Sequence, residues 1–193
     1  MLATFKRCSW CGSDPLYIKY HDNEWGVPLH DDSLLFELLV LEGFQAGLSW
    51  LTILKKREAF RKAFNGFDAH EIVRFDQSKI ARLMQNSTII RNRAKILATV
   101  QNARCFLEIK ERFNSFDRYI WQFVEGRSMV NSWKSEDLIP AKTVESEKMS
   151  RDMRSKGFKF VGPTICYAFM QATGLVNDHI TTCFRYSELQ ATT

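Results

Sequence analysis

Two histidines and three cysteines, placed near the two ends of the chain, have residue types and spacings that suit metal binding. His179 and Cys183 stand four residues apart, so their side chains would share one face if the segment were helical. Imidazole and thiolate groups are zinc ligands, and Cys8, Cys11 and His21 supply further candidates. Two tetrahedral sets stay open on spacing: Cys8 and Cys11 with the later pair, or Cys8 and His21 with it. Four protein ligands leave no coordination position open, so such a zinc would be structural.

The alternative is a chance i, i+4 pair and an unrelated C-x-x-C motif. A redox role for Cys8 and Cys11 would need a βαβ context, which the sequence does not show. A metal shared between the two ends of the chain would explain how an aromatic-rich segment without periodicity is held in place.

Glu42 is the second chemical feature, because it lies in an apolar run between Leu41 and Gly43. An unpaired carboxylate there would be costly to bury. Together with nearby rings it fits a pocket that stacks a flat heterocycle, accepts hydrogen bonds from its edge and favours a cationic base. The alternative is a capping or ion-paired glutamate beside rings that only pack the loop down. The candidate pocket rings are Trp10, Tyr17, Tyr20, Trp25 and Trp50.

The motif Gly157-Phe-Lys-Phe-Val-Gly162 predicts a tight turn between two helices. Its glycines allow a close approach to a phosphate, since no Cβ intervenes. With Lys156 and Lys159 this turn would grip a nucleic-acid backbone in a salt-sensitive way that is blind to sequence. Further cationic candidates, each of which can equally belong to a solvated helix face, are Arg91, Arg93 and Lys95.

Length and composition indicate one globular domain. The chain has 193 residues, 45% hydrophobic residues and a mean hydropathy of −0.26. Its net charge of +5 and pI near 9.0 are compatible with a nucleic-acid partner without requiring one. The sequence shows neither an apolar run of the ~18 residues a membrane span needs nor a secretory signal. Five cysteines in such a chain predict a cytoplasmic protein with free thiols or metal ligands.

The elements that must position these residues are predicted to be helices. Residues ~1–30 show no sustained period, and helical periodicity begins near Asp31. It is interrupted at Glu42-Gly43 and resumes to Phe64. Asp68 and Asp76 are expected to cap short helices. Residues ~127–143 form a loop, and the helices on either side of residues 157–162 complete an all-α fold of about eight to ten helices without β-structure.

Taken together, these residues resemble the bacterial 3-methyladenine DNA glycosylase I family, within the helix-hairpin-helix glycosylases. The likeness extends from about Cys8 to Cys183 in long ungapped stretches. It implies that residues 157–162 form the hairpin. The matching stretches are residues 14–26, 41–50, 89–95 and 156–179.

The resemblance implies a role for each matched residue. The zinc ligands would be Cys8, His21, His179 and Cys183, which leaves Cys11 an extra thiol. Glu42 would read the edge of the methylated base, Tyr17 and Trp50 would stack on it, and the lining residues would be Tyr20, Trp10 and Trp25. Gly47 and Leu48 would enter the duplex where the base has left. The backbone contacts would be Lys156, Gly157, Lys159, Gly162 and Thr164. Phe44 stands where a polar residue is expected.

Two departures from the wider superfamily bear on the reaction. Many helix-hairpin-helix glycosylases place a catalytic Asp two residues before the equivalent of His179; here Asn177 occupies that position and Asp178 follows it. The lysine of strand-cutting members is replaced within Thr164-Ile-Cys. The resemblance therefore implies a monofunctional enzyme of base-excision repair that hydrolyses the bond to 3-methyladenine in double-stranded DNA and leaves an abasic site. It is expected to act as a monomer away from membranes.

Two other classes are compatible with the same motifs. A non-catalytic DNA-binding module could use the turn and the zinc, although a polar-lined aromatic pocket argues against it. A zinc hydrolase would lose its chemistry on chelation, whereas a protein with a structural zinc would lose stability first.

Overall fold

The computed structural model describes residues 5–190 of the chain, and helices dominate that range. Short 3₁₀ turns lie at Ser9–Cys11, Asn65–Phe67, Gln122–Val124 and Glu136–Leu138. The two strands are β1, Met129–Val130, and β2, Val176–Asn177. The helices of the described range are α1 (Pro15–Asn23), α2 (Asp32–Gln45), α3 (Trp50–Ala63), α4 (Ala69–Ile72), α5 (Gln77–Gln85), α6 (Arg93–Phe113), α7 (Phe116–Trp121), α8 (Val144–Ser155), α9 (Pro163–Ala172) and α10 (Phe184–Gln190). The mostly helical prediction is confirmed.

Polar side chains begin most of these helices by accepting hydrogen bonds from backbone N–H groups that have no partner within the helix. The predicted caps Asp68 and Asp76 are confirmed, since each accepts a bond from the first turn of α4 or α5. Asn92 caps α6 by accepting a hydrogen bond from the N–H of Lys95. Thr143 and Ser146 form a reciprocal capping box at the start of α8.

The prediction that residues ~1–30 are irregular is wrong for α1. Asp14 accepts a hydrogen bond from the N–H of Leu16, and Pro15 occupies the first helical position, where its missing N–H costs nothing. The helix is short and mixes aromatic with charged residues, so no apolar stripe reveals it in the sequence. Residues 1–4 of the predicted segment lie outside the described residues.

The predicted interruption at Glu42-Gly43 is also wrong, because α2 continues through both residues to Gln45. The break lies instead in the α2–α3 turn, residues 46–49. A glycine inside a helix costs about 1 kcal/mol relative to alanine. Here it allows close packing, since a Cβ on Gly43 would lie 3.4 Å from the Cβ of Phe160.

A short parallel pairing appears where no β-structure was predicted. Met129 pairs with Val176 and Val130 with Asn177. Two residues per strand are too few to show an alternating pattern. This pairing attaches the loop that follows α7 to the chain just ahead of His179.

The core surrounds α2, which contacts α3, α6, α7 and α9. Aromatic rings fill much of it, and Phe44 is among them, in contact with Phe60 at 4.7 Å and Phe64 at 6.0 Å. Phe44 is thus a core residue, which explains why a hydrophobic side chain occupies this position. Among the described residues, no helix is long and apolar enough to cross a membrane.

Candidate active site

A pocket with a cavity volume of 390 Å³ opens between the N-terminal segment, α2 and α9. All five predicted rings and Glu42 line it, so residues far apart in sequence meet in one place. The pocket is within the size range of small-molecule sites. The rest of its wall is Gln45, Glu136, Ile139, Pro140, Ala141, Thr164, Tyr167, Ala168 and Gln171.

The rings form a continuous aromatic wall. Trp10 lies at its centre, with ring centroids 4.9 Å from Tyr17 and 4.9 Å from Trp25. The ring centroid of Tyr20 lies 6.4 Å from that of Trp10 and 5.4 Å from that of Trp50. Tilted and edge-on contacts of this kind hold each ring in place, as a surface that stacks a planar ligand requires.

Glu42 carries an unsatisfied carboxylate into this wall. The residue is 3% exposed, and Oε2 is buried without a hydrogen-bond partner. Burial raises the pKa of Glu42 to about 8. Buried polar atoms are normally paired, so an unpaired one on a residue that lines a cavity points to a ligand that would pair it. The Nε1 atoms of Trp10 and Trp50 are likewise buried and unpaired.

A second cluster, beside the pocket, brings the four candidate ligands together. The ligand atoms of Cys8, His21, His179 and Cys183 lie within 4.8 Å of one another, and all four residues are buried. Cys183 Sγ is 3.4 Å from His179 Nδ1 and 3.5 Å from His21 Nε2. The alternative set fails, because the Cys11 thiol donates to the Cys8 carbonyl at 3.1 Å instead.

The segment between His179 and Cys183 is not helical, contrary to the condition that suggested the pair. It forms a turn in which the Cys183 N–H donates to the Ile180 carbonyl at 2.8 Å. A turn, and not the shared helix face that their spacing suggested, therefore brings the two side chains together.

The donor set fits a metal ion. Ligands at ~2.0–2.3 Å in a tetrahedron stand roughly 3.5 Å apart, as the sulfur–nitrogen distances here do. Each imidazole also has an outer partner that orients it: His21 Nδ1 contacts Asp22 at 2.8 Å, and His179 Nε2 contacts the Trp25 carbonyl at 3.0 Å. Hydrogen bonding from Cys8 lowers the pKa of Cys183, so one thiolate is already favoured. The cluster could therefore hold a metal.

The cluster and the aromatic wall share contacts. The ring centroids of Trp10 and His21 are 5.3 Å apart, and those of Trp25 and His179 are 4.6 Å apart. A metal ion would thus fix the rings of the N-terminal segment against the C-terminal segment. All four donor residues are buried and none of them lines the pocket.

Asp178 is fully buried, and four donors saturate its carboxylate. Two of them, Tyr167 and Gln171, line the pocket; Gln171 donates at 2.8 Å. The other two, Asn131 at 2.7 Å and Trp133 at 2.8 Å, come from the loop after β1. Asp178 therefore holds two walls of the pocket together and does not line the cavity itself.

Asn177, which the resemblance placed where a catalytic aspartate would be expected, forms hydrogen bonds with the backbone. Its Oδ1 accepts from the His179 N–H at 3.2 Å, and its Nδ2 donates to the Tyr186 carbonyl at 3.2 Å. Since both ends of the amide are bonded and the residue is 2% exposed, it has no free group for a substrate.

The turn at residues 157–162 joins α8 to α9, as predicted. Gly157 has a φ of 92°, which a side chain would strain, and Gly162 is the N-cap of α9. Lys159 is exposed, whereas Lys156 is paired with Asp152 at 2.7 Å. Thr164 is exposed and also lines the pocket, so α9 links the turn to the cavity.

The α2–α3 turn lies between two pocket-lining residues, Gln45 and Trp50, and so stands at the rim of the cavity. Gly47 has a φ of 83°, and Leu48 is 41% exposed. Lys95 is not a surface cation, contrary to its place among the candidates for DNA contact. It is 7% exposed, because its side chain turns inward to backbone carbonyls.

Sequence reasoning missed the wall that α9 contributes. Its pocket residues are Thr164, Tyr167, Ala168 and Gln171. They follow the i, i+3, i+4, i+7 spacing of one helix face, which was a usable signal. Glu136 and Pro140, in the loop after β1, carried no such signal.

The chain is similar to known proteins over almost its whole length. Residues 10–186 match the model of a family described as methyladenine glycosylase. DNA-3-methyladenine glycosylase 1 of Escherichia coli (strain K12) is 48% identical over 181 residues, covering 94% of this chain and 97% of the relative. A crystal structure of 3-methyladenine DNA glycosylase I superposes with a TM-score of 0.91 at 51% identity, covering 93% of this chain and 98% of that one. Another such glycosylase, solved in complex with 3-methyladenine, has a TM-score of 0.90 at 36% identity, covering 92% and 96%.

Proposed function

The chain belongs to the methyladenine glycosylase family, and we propose that it is a DNA-3-methyladenine glycosylase of base-excision repair. The observation that carries the proposal is the unpaired carboxylate of Glu42 inside an aromatic pocket. A structural relative that holds 3-methyladenine supports the same ligand class.

The pocket has the chemistry to prefer a methylated, cationic base. Methylation at N3 gives adenine a formal positive charge in the nucleotide, which ring faces and a buried carboxylate attract. Glu42 would accept a hydrogen bond from the base edge, and Tyr17 and Trp50 would stack on its faces, with Tyr20, Trp10 and Trp25 as lining. An unmethylated adenine would lack the charge that offsets burial of the carboxylate.

The reaction needs little further catalysis. A cationic base leaves as a neutral molecule, so the glycosidic bond is already weak. Orienting the nucleotide and admitting water then suffice for hydrolysis. Within residues 5–190 no lysine lines the pocket, which supports hydrolysis without a covalent amine intermediate and without strand cleavage. The product would be an abasic site.

We propose that the cluster of Cys8, His21, His179 and Cys183 holds one structural zinc. Two thiolates and two imidazoles are a common structural zinc set, and burial with four protein donors leaves no position for substrate. Zinc would supply a fixed link between the two ends of the chain and take no part in the reaction.

The DNA would be held on two sides of the pocket. Lys159, Lys156 and Thr164, with the backbone near Gly157 and Gly162, would contact phosphates, and Gly47-Leu48 would fill the space left by the extruded base. In this proposal α8, the turn at residues 157–162 and α9 would form the hairpin of a helix-hairpin-helix fold. The protein would act as a single-domain, cytoplasmic monomer.

The decisive assay measures release of free 3-methyladenine from alkylated double-stranded DNA by chromatography. Wild type should release the base and leave strands intact until alkali treatment. Glu42→Gln should lower release by about tenfold or more, since a charged hydrogen-bond acceptor is lost. Glu37→Gln is the control, because it removes a buried carboxylate of the same helix that lies outside the pocket. Failure of wild type to release the base would refute the proposal.

A further inference from the structure

Lys95 is a buried ammonium at the junction of α6 with the α2–α3 turn. Its Nζ donates to the carbonyl of Phe44 at 2.8 Å and to that of Ala46 at 2.7 Å. Within residues 5–190 it forms no ion pair with a carboxylate, so these carbonyls are its principal partners.

Such an arrangement is costly, because a charge removed from water normally requires a counter-ion. The compensation comes from the end of α2, where carbonyls without helical partners carry partial negative charge. A glycine or a polar neutral residue could end this helix at lower cost. The buried Lys95 ammonium therefore serves to hold the α2–α3 turn in position.

The turn held in this way presents Leu48. The carbonyls bound by Lys95 flank Gln45, whose own carbonyl accepts from the Leu48 N–H at 2.6 Å. Beyond Leu48 the next attachment is Ser49, which caps α3 by accepting from Thr52 at 3.2 Å. A Cβ added to Gly47 would meet no atom within 4 Å, so this residue gives the turn no packing support.

The same face of α6 also holds the turn at residues 157–162. Asn102, about two helical turns after Lys95, accepts from the Lys159 N–H at 2.8 Å and donates to the Lys159 carbonyl at 3.0 Å. The Lys95 ammonium lies 6.0 Å from the ring centroid of Phe160, which packs on Gly43. One helix thus sets the distance between the two candidate DNA contacts.

We infer that Lys95 is a positioning residue that fixes Leu48 at the pocket rim, so that Leu48 enters the duplex as the damaged base leaves it. The inference rests on the proposed function. It makes Lys95 important for extruding a paired base and unimportant for binding a base that is already free.

The test compares Lys95→Met with wild type on two substrates, 3-methyladenine in a fully paired duplex and the same lesion in a single-nucleotide bulge. An unpaired base costs less to extrude. Excision from the duplex should fall about tenfold or more, the effect of losing hydrogen bonds from a charged group. Excision from the bulge should change less than about threefold, and binding of free 3-methyladenine, followed by tryptophan fluorescence, should not change.

Lys56→Met is the matched control. The Lys56 ammonium also donates to two carbonyls, those of Ser87 at 3.4 Å and Thr88 at 3.0 Å, but away from the pocket. This variant should excise both substrates as wild type does. Lys95→Arg, which keeps the charge, should recover part of the duplex activity.

A double mutant tests whether the two residues act together. If Lys95 acts through Leu48, adding Lys95→Met to Leu48→Ala should lower duplex excision by less than about twofold. Equal losses on duplex and bulge, or full additivity, would overturn the inference. Should Lys95→Met not fold, Lys95→Gln allows the same comparison. Wild type inactive on both substrates would refute the proposed function instead.

Discussion

Replacing Glu42 by glutamine should alter how the stability of the protein depends on pH. In the folded protein burial raises the pKa of Glu42 from 4.5 to about 8. Between these values the native state keeps a proton that the unfolded state has released. The wild type therefore loses stability as pH rises through this interval, up to the folded pKa. Glutamine does not titrate, so the variant lacks this loss.

The size of the effect follows from the shift. At 1.36 kcal/mol per pKa unit, Glu42 should cost the wild type about 3 kcal/mol of unfolding free energy between pH 5 and pH 7.5. Other titrating groups contribute equally to both proteins and cancel in the difference. The stability of Glu42→Gln relative to wild type should thus increase by about this amount over the interval.

Urea unfolding followed by tryptophan fluorescence at several pH values measures the difference directly. Glu37, on the same helix, provides a control, because its replacement by glutamine should destabilise the protein. It is buried but bonded to Arg57 and Arg61, with an Arg61 contact of 2.9 Å. Glu37→Gln should lower the free energy of unfolding by about 3 kcal/mol, because it removes the buried carboxylate that two partly buried arginines share. Parallel pH profiles for wild type and Glu42→Gln would refute the reasoning that Glu42 is buried without a partner.

Three further predictions concern the structure around the pocket. Chelation, or Cys183→Ser, should lower the melting temperature by roughly 10 °C or more in calorimetry, whereas Cys11→Ser, which changes a thiol outside the cluster, should have little effect. Asp178→Asn should cost about 3 kcal/mol in urea unfolding, because an amide N–H would face one of the four donors. Gly174→Ala should lower the free energy of unfolding by about 3 kcal/mol or more, because φ is 71° there and the added Cβ would lie 2.3 Å from a backbone carbon. Gly126→Ala is the control: φ is 76°, but no atom lies within 4 Å of the added Cβ, so the loss should be about 1 kcal/mol.

Residue chemistry predicted the pocket better than local pattern predicted the elements around it. Glu42 was recognisable because a carboxylate in an apolar run demands an explanation, and the explanation is a cavity. The helix through it was misjudged, because Gly43 is a helix breaker only where nothing packs against it. Here Phe160 does, and that contact joins residues more than a hundred positions apart.

Cationic residues show the same limit more clearly. Lys95 and Arg93 stand in one short basic stretch and are indistinguishable by sequence pattern. In the structure Arg93 is exposed and contacts Gln77, whereas Lys95 is buried on the end of α2. Which face of α6 points inward depends on where α2 ends. Since that end was itself misplaced by the sequence pattern, the role of Lys95 could not be predicted.

Two acidic residues near the pocket indicate how the proposed reaction would proceed without a catalytic aspartate at position 177. The carboxylate of Asp178 accepts four hydrogen bonds, and these hold the pocket walls together. Glu42 has an unpaired oxygen, and its pKa of about 8 keeps it mostly protonated in the empty pocket near neutral pH. A cationic base would lower that pKa again, because a nearby opposite charge favours the carboxylate. Neutral adenine would not. Under the proposed function, the negative charge of the site then appears only when the damaged base is present, and selectivity for the lesion arises at Glu42 without a second acid.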